Sequence, residues 1–242
     1  MASSPTQTNR KHFIPLESNP DVFTELVHKL GLAPSVYFQD VLSLDDPELL
    51  AFVPRPAHAL ILVFPTTEAY EKRVRDEDGG VEEYEEDGVV FFRQTINNAC
   101  GLYAILNAVC NGEVKGQIRL DSVLGNLLST CIPLKTEECA RVLEDSQDLE
   151  HAYAEVARKG DTEAPVNPED EVDFHYVAFV KSDANSHLYQ LDGDRKRPID
   201  LGLLDADADA LSDKCLDVIR RMITGERGNL NFSLMALVSD QA

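Results

Sequence analysis

The sequence contains few basic residues for its length. Its 242 residues include 22 lysines and arginines against 43 aspartates and glutamates, which gives a formal net charge of −21. Proteins that bind nucleic acids need clustered Lys and Arg side chains to neutralise phosphates, so a nucleic acid is excluded as the main partner. The same charge suits a partner with a basic face, although solubility alone also accounts for it.

Long apolar runs and linkers are missing too. The longest apolar run, Ala57–Pro65, is well short of the roughly 18–20 residues that cross a bilayer. The start of the chain, Met1–Lys11, is polar and lacks the apolar core of a signal peptide. We therefore expect a cytoplasmic or nuclear protein that does not bind membranes. Because no Gly/Ser/Pro-rich linker divides it, we expect one domain over residues 1–242, with residues 1–11 disordered.

The cysteines do not form a disulfide or zinc pattern. There are five, an odd number without a secretory signal, which favours free thiols. Cys131 and Cys139 are too far apart in sequence for a CxxC motif, and no histidine-rich tract accompanies them. We predict neither a metal site nor a cofactor.

Helix caps, proline positions and apolar patterns predict the regular elements. Asn19 and Pro20 begin a helix that ends at Gly31. The continuous apolar run Ala59–Phe64 predicts a strand buried on both faces. Other predicted strands are 36–44, 89–92, 174–180, 188–191 and 231–238, and other predicted helices are 47–52, one that begins at 67, 99–109, 122–130, 136–159 and 211–223. Strands mixed with helices on both sides indicate an α/β or α+β fold with three layers.

A polar segment with two prolines, Gly160–Glu171, has almost no apolar side chains. Such a segment buries too little surface to fold alone, so a mobile surface loop is expected. It comes immediately before His175 in the sequence, which makes it a candidate gate.

One cysteine differs from the other four in its surroundings. Cys100 follows the segment Gln94–Ala99 and lies at a predicted strand-to-helix junction. At the N-terminus of a helix, unpaired N–H groups and the macrodipole favour an anion, which increases the thiolate fraction of a cysteine. The thiolate is the nucleophilic form, so Cys100 is a candidate nucleophile. The other cysteines are typical of small buried apolar residues.

A histidine and an acid follow in the order that a thiol hydrolase needs. His175 lies in a predicted strand, and Asp192 closes the next one, where its carboxylate can orient the imidazole. Gln94 offers an amide N–H to the oxyanion that forms when the thiolate of Cys100 attacks a carbonyl. Structural roles stay open for all three: a core histidine, a turn-stabilising aspartate and a surface glutamine. Asp194 is a second candidate for the acid.

Motifs around these residues resemble the ubiquitin C-terminal hydrolase (UCH) family of cysteine proteases, peptidase family C12. The resemblance is carried by a nucleophile motif, a histidine motif and an acid motif, which are Gln94–Gly101, Asp173–Ala178 and Leu188–Gly193 followed by Pro198–Ile199. Three shorter blocks match in the same order: Pro15–Pro20, Asp46–Leu50 and Val53–Pro56. The similarity thus covers almost the whole chain.

The resemblance implies a role for each candidate residue. Cys100 corresponds to the nucleophile, His175 to the general base and acid, and Asp192 to the orienting acid. Gln94 corresponds to the oxyanion donor. Three acidic residues match positions that hold ubiquitin in the family, namely Glu17, Asp21 and Asp40.

The resemblance also implies a fold. It is a papain-related α/β/α sandwich with a knotted backbone and a crossover loop over the active-site cleft. Gly160–Pro165 resembles part of that loop, which we place within about residues 147–172.

We therefore predict a deubiquitinating thiol hydrolase that cleaves small adducts or short peptides from the C-terminal glycine of ubiquitin. Two alternatives stay open: the same chemistry directed at a ubiquitin-like modifier, and a non-catalytic module that binds and stabilises ubiquitin. Because the sequence stops soon after its last predicted strand, we expect the small, free-standing subtype, acting as a monomer.

Overall fold

A computed structural model describes residues 11–80, 88–161, 167, 169–170, 173–225 and 231–240. The helices within these residues are α1 (Pro20–Leu30), α2 (Pro47–Leu50), α3 (Glu68–Asp78), α4 (Cys100–Val109), α5 (Val123–Cys131), α6 (Thr136–Asp145), α7 (Gln147–Val156) and α8 (Asp213–Gly225). The strands are β1 (Val36–Asp40), β2 (Ala57–Pro65), β3 (Phe174–Lys181), β4 (His187–Asp192), β5 (Ile199–Leu203) and β6 (Ser233–Ser239). None of the described helices is long and apolar enough to cross a membrane.

The strands form one sheet in the order β1-β6-β2-β3-β4-β5, and all neighbours are antiparallel. The apolar run Ala59–Phe64 lies in β2, between β6 and β3. Its side chains are buried on both faces, as the run predicts. In β3, Tyr176 and Ala178 point to one core, whereas Val177 and Phe179 point to the other.

Hydrophobic cores lie on both faces of this sheet. On one face, helices α1 and α4 to α7 share a core with sheet residues such as Ile61 and Ala178. On the other, α8 and Tyr70 of α3 pack against residues such as Leu60 and Val177. The predicted three-layer α/β/α arrangement is therefore confirmed. The knotted backbone stays a prediction.

Several predicted elements are confirmed and others need correction. Helix α1 is capped by the Asn19 side chain and stopped by Gly31, as predicted. The first strand ends at Asp40 and not at 44, and the strand β5 was not predicted. The single helix predicted over 136–159 is two helices, because Ser146 ends α6 and its side chain caps α7.

The predicted strand 89–92 is wrong. The segment has no strand partner among the described residues, and its backbone polar groups bond to the side chains of Asn107 in α4 and of Asn111, two residues beyond the end of α4. The Asn107 amide accepts from Phe92 N at 2.9 Å and donates to Phe92 O at 3.2 Å. The Asn111 amide makes the same pair of bonds to Val90, at 2.7 and 2.8 Å. These amides replace a strand neighbour and fix the segment that leads to Gln94.

Two sequence predictions fall largely outside the described residues. Of the expected disordered start, only Lys11 is described; its carbonyl accepts from Asn97 N at 3.0 Å. Of the expected crossover loop within 147–172, residues 147–156 form α7, and the segments 162–166, 168 and 171–172 lie outside the described part. Gly160 and Asp161 are described and lie against Glu17.

Candidate active site

Cys100 is the first residue of α4 and follows a tight turn. Asn98 has a positive φ of 57°, a conformation that asparagine tolerates better than most residues. The turn is held from outside, since Asn97 pairs with the backbone of the N-terminal segment through Phe13 N at 3.0 Å. Every residue of α4 is buried, so the helix and its first thiol are fixed by packing. Cys100 itself is 7% exposed.

Two residues next to Cys100 have structural roles that the motif alone does not reveal. A Cβ on Gly101 would lie 3.3 Å from the Leu16 side chain, so this glycine allows α4 to pack closely against Leu16. The Tyr103 hydroxyl accepts from Thr95 N at 3.3 Å. Tyr103 thereby ties the nucleophile helix to the segment that carries Gln94.

His175 and Asp192 form a buried pair at the ends of adjacent strands. His175 Nε2 donates to Asp192 Oδ1 at 2.8 Å. The residues are 4% and 0% exposed, respectively. Because β3 and β4 are antiparallel, the beginning of β3 lies beside the end of β4. The predicted order of histidine strand and acid strand therefore brings these two side chains together.

The imidazole also meets the thiol. The Cys100 thiol lies close enough to His175 to help raise the pKa of its imidazole, and its Sγ lies 3.9 Å from the carbonyl oxygen of Phe174. Burial alone would lower the pKa of His175, but the carboxylates of Asp194 and Asp192 outweigh it and hold that pKa well above its ordinary value. The charged imidazolium is the form that stabilises a neighbouring thiolate.

Asp192 remains a carboxylate in spite of its burial. Burial by itself would raise its pKa, but the charge of His175 and three hydrogen bonds keep the pKa below its usual value. The donors are His175 Nε2, the Tyr70 hydroxyl at 2.7 Å and the backbone N–H of Asp194 at 3.1 Å. These three donors hold the carboxylate of Asp192 in one orientation.

Asp194, the second candidate for the acid, occupies a different place. Its Oδ2 lies 3.5 Å from His175 Nδ1, on the side of the ring opposite Asp192, and the side chain is 44% exposed. Burial and the nearby charge of Asp192 raise the pKa of Asp194, and the charge of His175 opposes them. Asp192 thus has the buried orienting position, and Asp194 is an additional charge at the rim.

Gln94 lies against the turn that follows Asp192. Its backbone N–H donates to Gly193 O at 2.8 Å, and a Cβ on Gly193 would lie 3.0 Å from the Gln94 Cβ. Among the described residues, its Oε1 is the one buried side-chain oxygen or nitrogen without a hydrogen-bond partner. Because residue 193 is a glycine, the side chain of Gln94 can lie close to the turn that follows Asp192.

Comparison with known proteins decides the family. A family model described as ubiquitin carboxyl-terminal hydrolase, family 1, matches residues 13–224. The chain belongs to ubiquitin carboxyl-terminal hydrolase family 1. A ubiquitin carboxyl-terminal hydrolase of Aplysia californica is 39% identical over 199 residues, which cover 82% of this chain and 90% of that protein. Ubiquitin carboxyl-terminal hydrolase 3 of Arabidopsis thaliana is 34% identical and covers 98% of both chains.

The fold of this UCH-family chain also matches solved structures. The UCH37 catalytic domain of Trichinella spiralis, crystallised with ubiquitin vinyl methyl ester, superposes with a TM-score of 0.75. The match covers 96% of this chain and 98% of that one at 23% identity. At this identity the similarity supports the fold.

The three acidic residues matched to the family lie near α1. Asp21 is exposed in its first turn, and Asp40 ends β1 close by; partial burial and the charge of Asp21 raise the pKa of Asp40. Glu17 differs from them, because its Oε1 accepts from the backbone N–H of Asp161 at 3.1 Å. Glu17 therefore holds the beginning of the predicted loop.

The other thiols differ among themselves, because a hydrogen bond with Cys139 lowers the pKa of Cys131, whereas Cys110 and Cys215 are fully buried. Burial raises the pKa of Cys110 and of Cys215 above the ordinary thiol value, which leaves both neutral. Among the described residues, the one group with three side chains suited to a metal consists of His175, Asp192 and Asp194, whose ligand atoms lie within 4.8 Å. Their hydrogen bond and charge contacts account for this closeness without an ion.

Tyr70 was missed in the sequence. Its hydroxyl contacts Asp192, which is 122 positions away. Periodicity identifies Tyr70 as a residue of a helix that begins at Thr67, but not what that helix packs against.

Proposed function

We propose that this chain cleaves the bond after the C-terminal glycine of ubiquitin and releases small adducts or short peptides. The observation that carries the proposal is the closeness of Cys100, at a helix N-terminus, to His175, whose Nε2 donates to buried Asp192. The family and the names of its relatives support ubiquitin as the substrate. The Trichinella spiralis neighbour was crystallised with a ubiquitin derivative.

The proposed chemistry proceeds in two steps. The thiolate of Cys100 attacks the glycine carbonyl carbon, and His175 donates its proton to the leaving amine, which leaves a thioester. His175 then accepts a proton from water, which attacks the thioester and releases the ubiquitin carboxylate and the thiol. Asp192 stays ionised and keeps the imidazole oriented throughout.

Gln94 is the proposed oxyanion donor. Its amide lies beside Gly193 and carries a buried Oε1 without a partner among the described residues. One donor of this kind typically lowers the barrier by about 3 kcal/mol. Gln94→Ala is therefore expected to reduce kcat about 100-fold or more.

The proposed ubiquitin contacts are acidic. Asp21 and Asp40 put two neighbouring carboxylates beside α1, which suits a basic segment of the substrate. Glu17 acts through the loop, since it binds Asp161. Near the other end of that loop, Asp170 O accepts from Asn98 Nδ2 at 2.7 Å. Asn98 precedes the proposed nucleophile, Cys100, by two residues. A loop tied at both ends in this way suits the proposed crossover that admits only small leaving groups.

The test is hydrolysis of ubiquitin that carries a fluorogenic amide at its C-terminus. Cys100→Ala is expected to abolish turnover and to retain ubiquitin binding, because it removes only the nucleophilic sulfur. Cys110→Ala is the matched control, a thiol of the same buried segment, and is expected to lose some stability but not activity. Undiminished hydrolysis by Cys100→Ala would rule out the mechanism.

The same assay separates the two alternatives. If the wild-type protein cleaves only a ubiquitin-like modifier, the chemistry is right and the substrate is wrong. If it binds ubiquitin without turnover or covalent capture, it is a binding module. The intact set of Cys100, His175 and Asp192 favours the enzyme.

We also propose a domain organisation, an oligomeric state and a cellular location. We propose one catalytic domain, supported by a single sheet with cores on both faces. We propose that it acts as a monomer and that it resides in the cytoplasm or nucleus. Sedimentation and imaging of the tagged protein test the last two.

A further inference from the structure

The buried carboxylate of Asp192 is shared between two aromatic partners. Its Oδ1 accepts from His175 Nε2, and its Oδ2 accepts from the Tyr70 hydroxyl at 2.7 Å. Both Tyr70 and Asp192 are buried. Tyr70 therefore donates to the carboxylate oxygen that His175 does not contact. It does so from α3, which belongs to a different layer of the fold from the strands that carry His175 and Asp192.

Tyr70 also contacts the histidine itself. Its ring lies 5.4 Å from the His175 ring, at an interplanar angle of 38°. Phe64 of β2 packs edge-on against both, with its ring centroid 5.1 Å from Tyr70 and 5.9 Å from His175. The three rings fix the plane in which the imidazole meets Asp192.

We propose that Tyr70 is a positioning residue that holds the Asp192–His175 pair in its reactive orientation. This proposal rests on the proposed hydrolase function, and it adds α3 to the elements on which that function depends. Without the hydroxyl, Asp192 Oδ2 has no other donor among the described residues, and the carboxylate is held only by the two hydrogen bonds to its Oδ1.

Helix α3 is fixed at both ends, so the hydroxyl has a defined position. At the start, Thr67 Oγ1 accepts from Tyr70 N at 3.1 Å. At the end, buried Asp78 pairs with buried Arg195 at 3.0 Å and accepts from Lys196 N at 2.8 Å. Arg195 follows Asp192 by three residues, so the helix and the acid turn are joined by this ion pair as well as by Tyr70.

The hydroxyl stays a donor throughout the working pH range. Burial, and then the charge of Asp192, raise the pKa of Tyr70 far above its ordinary value. Among the described residues, the titratable groups that act on the Asp192–His175 pair are Tyr70, Cys100 and Asp194. Glu71 acts on Asp194, and Arg195 acts on Tyr70.

Tyr70→Phe tests the proposal, because it keeps the ring and removes the one hydrogen bond. We expect kcat for a ubiquitin C-terminal amide to fall roughly 10-fold with KM unchanged, the size of effect for one hydrogen bond to a charged group. Tyr189→Phe is the matched control: it removes a buried hydroxyl of β4 that accepts from Asn185 at 2.8 Å, and it should retain full activity.

A pH profile distinguishes positioning from loss of stability. Without the Tyr70 donor, the negative charge of Asp192 acts more fully on His175, so the pKa of His175 rises. The basic limb of the kcat profile, where the imidazolium loses its proton, then moves to higher pH. Thermal unfolding of both phenylalanine variants gives the folded fraction by which each kcat is corrected.

Alkylation of Cys100 by iodoacetamide gives the same information without ubiquitin. Measured against pH by peptide mass spectrometry, its upper step reports the loss of the His175 proton and should also move to higher pH in Tyr70→Phe. If the wild-type protein does not cleave ubiquitin but the alkylation step of Tyr70→Phe still moves to higher pH, the proposed hydrolase function is wrong and the positioning role of Tyr70 holds. If both kcat per folded molecule and the alkylation step match Tyr189→Phe, the proposal is overturned.

Discussion

Two His–Asp pairs lie on neighbouring strands of the same sheet and differ in almost everything except distance. His175 and Asp192 join β3 to β4 at 2.8 Å, and His187 and Asp200 join β4 to β5 at 2.8 Å. The first pair is buried, with side chains 5% and 0% exposed, whereas the second is 33% and 47% exposed. Separation alone therefore does not distinguish an active-site pair from a surface ion pair.

The surroundings of the two pairs make the difference. Asp192 accepts from a tyrosine hydroxyl and a backbone N–H as well as from its histidine, and that histidine meets Cys100. Asp200 is held by its histidine and by Gly202 N at 2.7 Å, at the edge of the sheet. Water screens the exposed pair, so its charges interact weakly. In the buried pair, the same charges act on a nucleophile at low dielectric.

The largest expected difference between the pairs is in catalysis. Asp192→Asn keeps the shape of the side chain but removes the charge that orients and stabilises the imidazolium, so kcat should fall by roughly 10³–10⁴. Asp200→Asn makes the same change in the exposed pair and should leave kcat within about twofold. Steady-state hydrolysis of a ubiquitin C-terminal amide measures both, and equal losses would show that the buried pair has no special role.

A smaller difference is expected in stability. His175→Ala leaves Asp192 buried without its charge partner, which should lower the free energy of unfolding by about 3 kcal/mol. His187→Ala removes a partner from an exposed carboxylate and should change it by no more than about 1 kcal/mol. Urea denaturation of the two variants gives both values. A His175→Ala protein as stable as His187→Ala would contradict the burial argument.

The smallest expected effect is a shift in pH dependence. Asp194 stabilises the imidazolium from the Nδ1 side, which raises the pKa of His175. Asp194→Asn removes that charge, so the pKa of His175 falls and the basic limb of the activity profile moves to lower pH. Because Asp194 is partly exposed, salt screens part of the effect, and kcat at the optimum should change less than about tenfold. Asp200→Asn, with the same change in net charge, should leave the limb in place.

Much of this arrangement could be predicted from the sequence. The cap at Asn19, the stop at Gly31 and the apolar run Ala59–Phe64 are local signals, and the structure confirms each. The residues Cys100 and His175 follow from an ordered set of motifs, since a nucleophile needs a base. The structure brings these two side chains together.

What could not be predicted depends on contacts between distant segments. The segment 89–92 has the apolar pattern of a strand, but pattern does not reveal that its hydrogen bonds go to Asn107 and Asn111. Strand β5 contains Asp200 and Gly202, residues that are uncommon in strands. The role of Tyr70 depends on a partner in another layer of the fold.

The most direct test of the account is the location of a covalent adduct. The protein is incubated with ubiquitin vinyl methyl ester, digested, and sequenced by tandem mass spectrometry to find the modified cysteine. The account predicts an adduct on Cys100 and none on the four other thiols, which are Cys110, Cys131, Cys139 and Cys215. An adduct on one of these four, or a ubiquitin complex with no covalent bond at all, would contradict it.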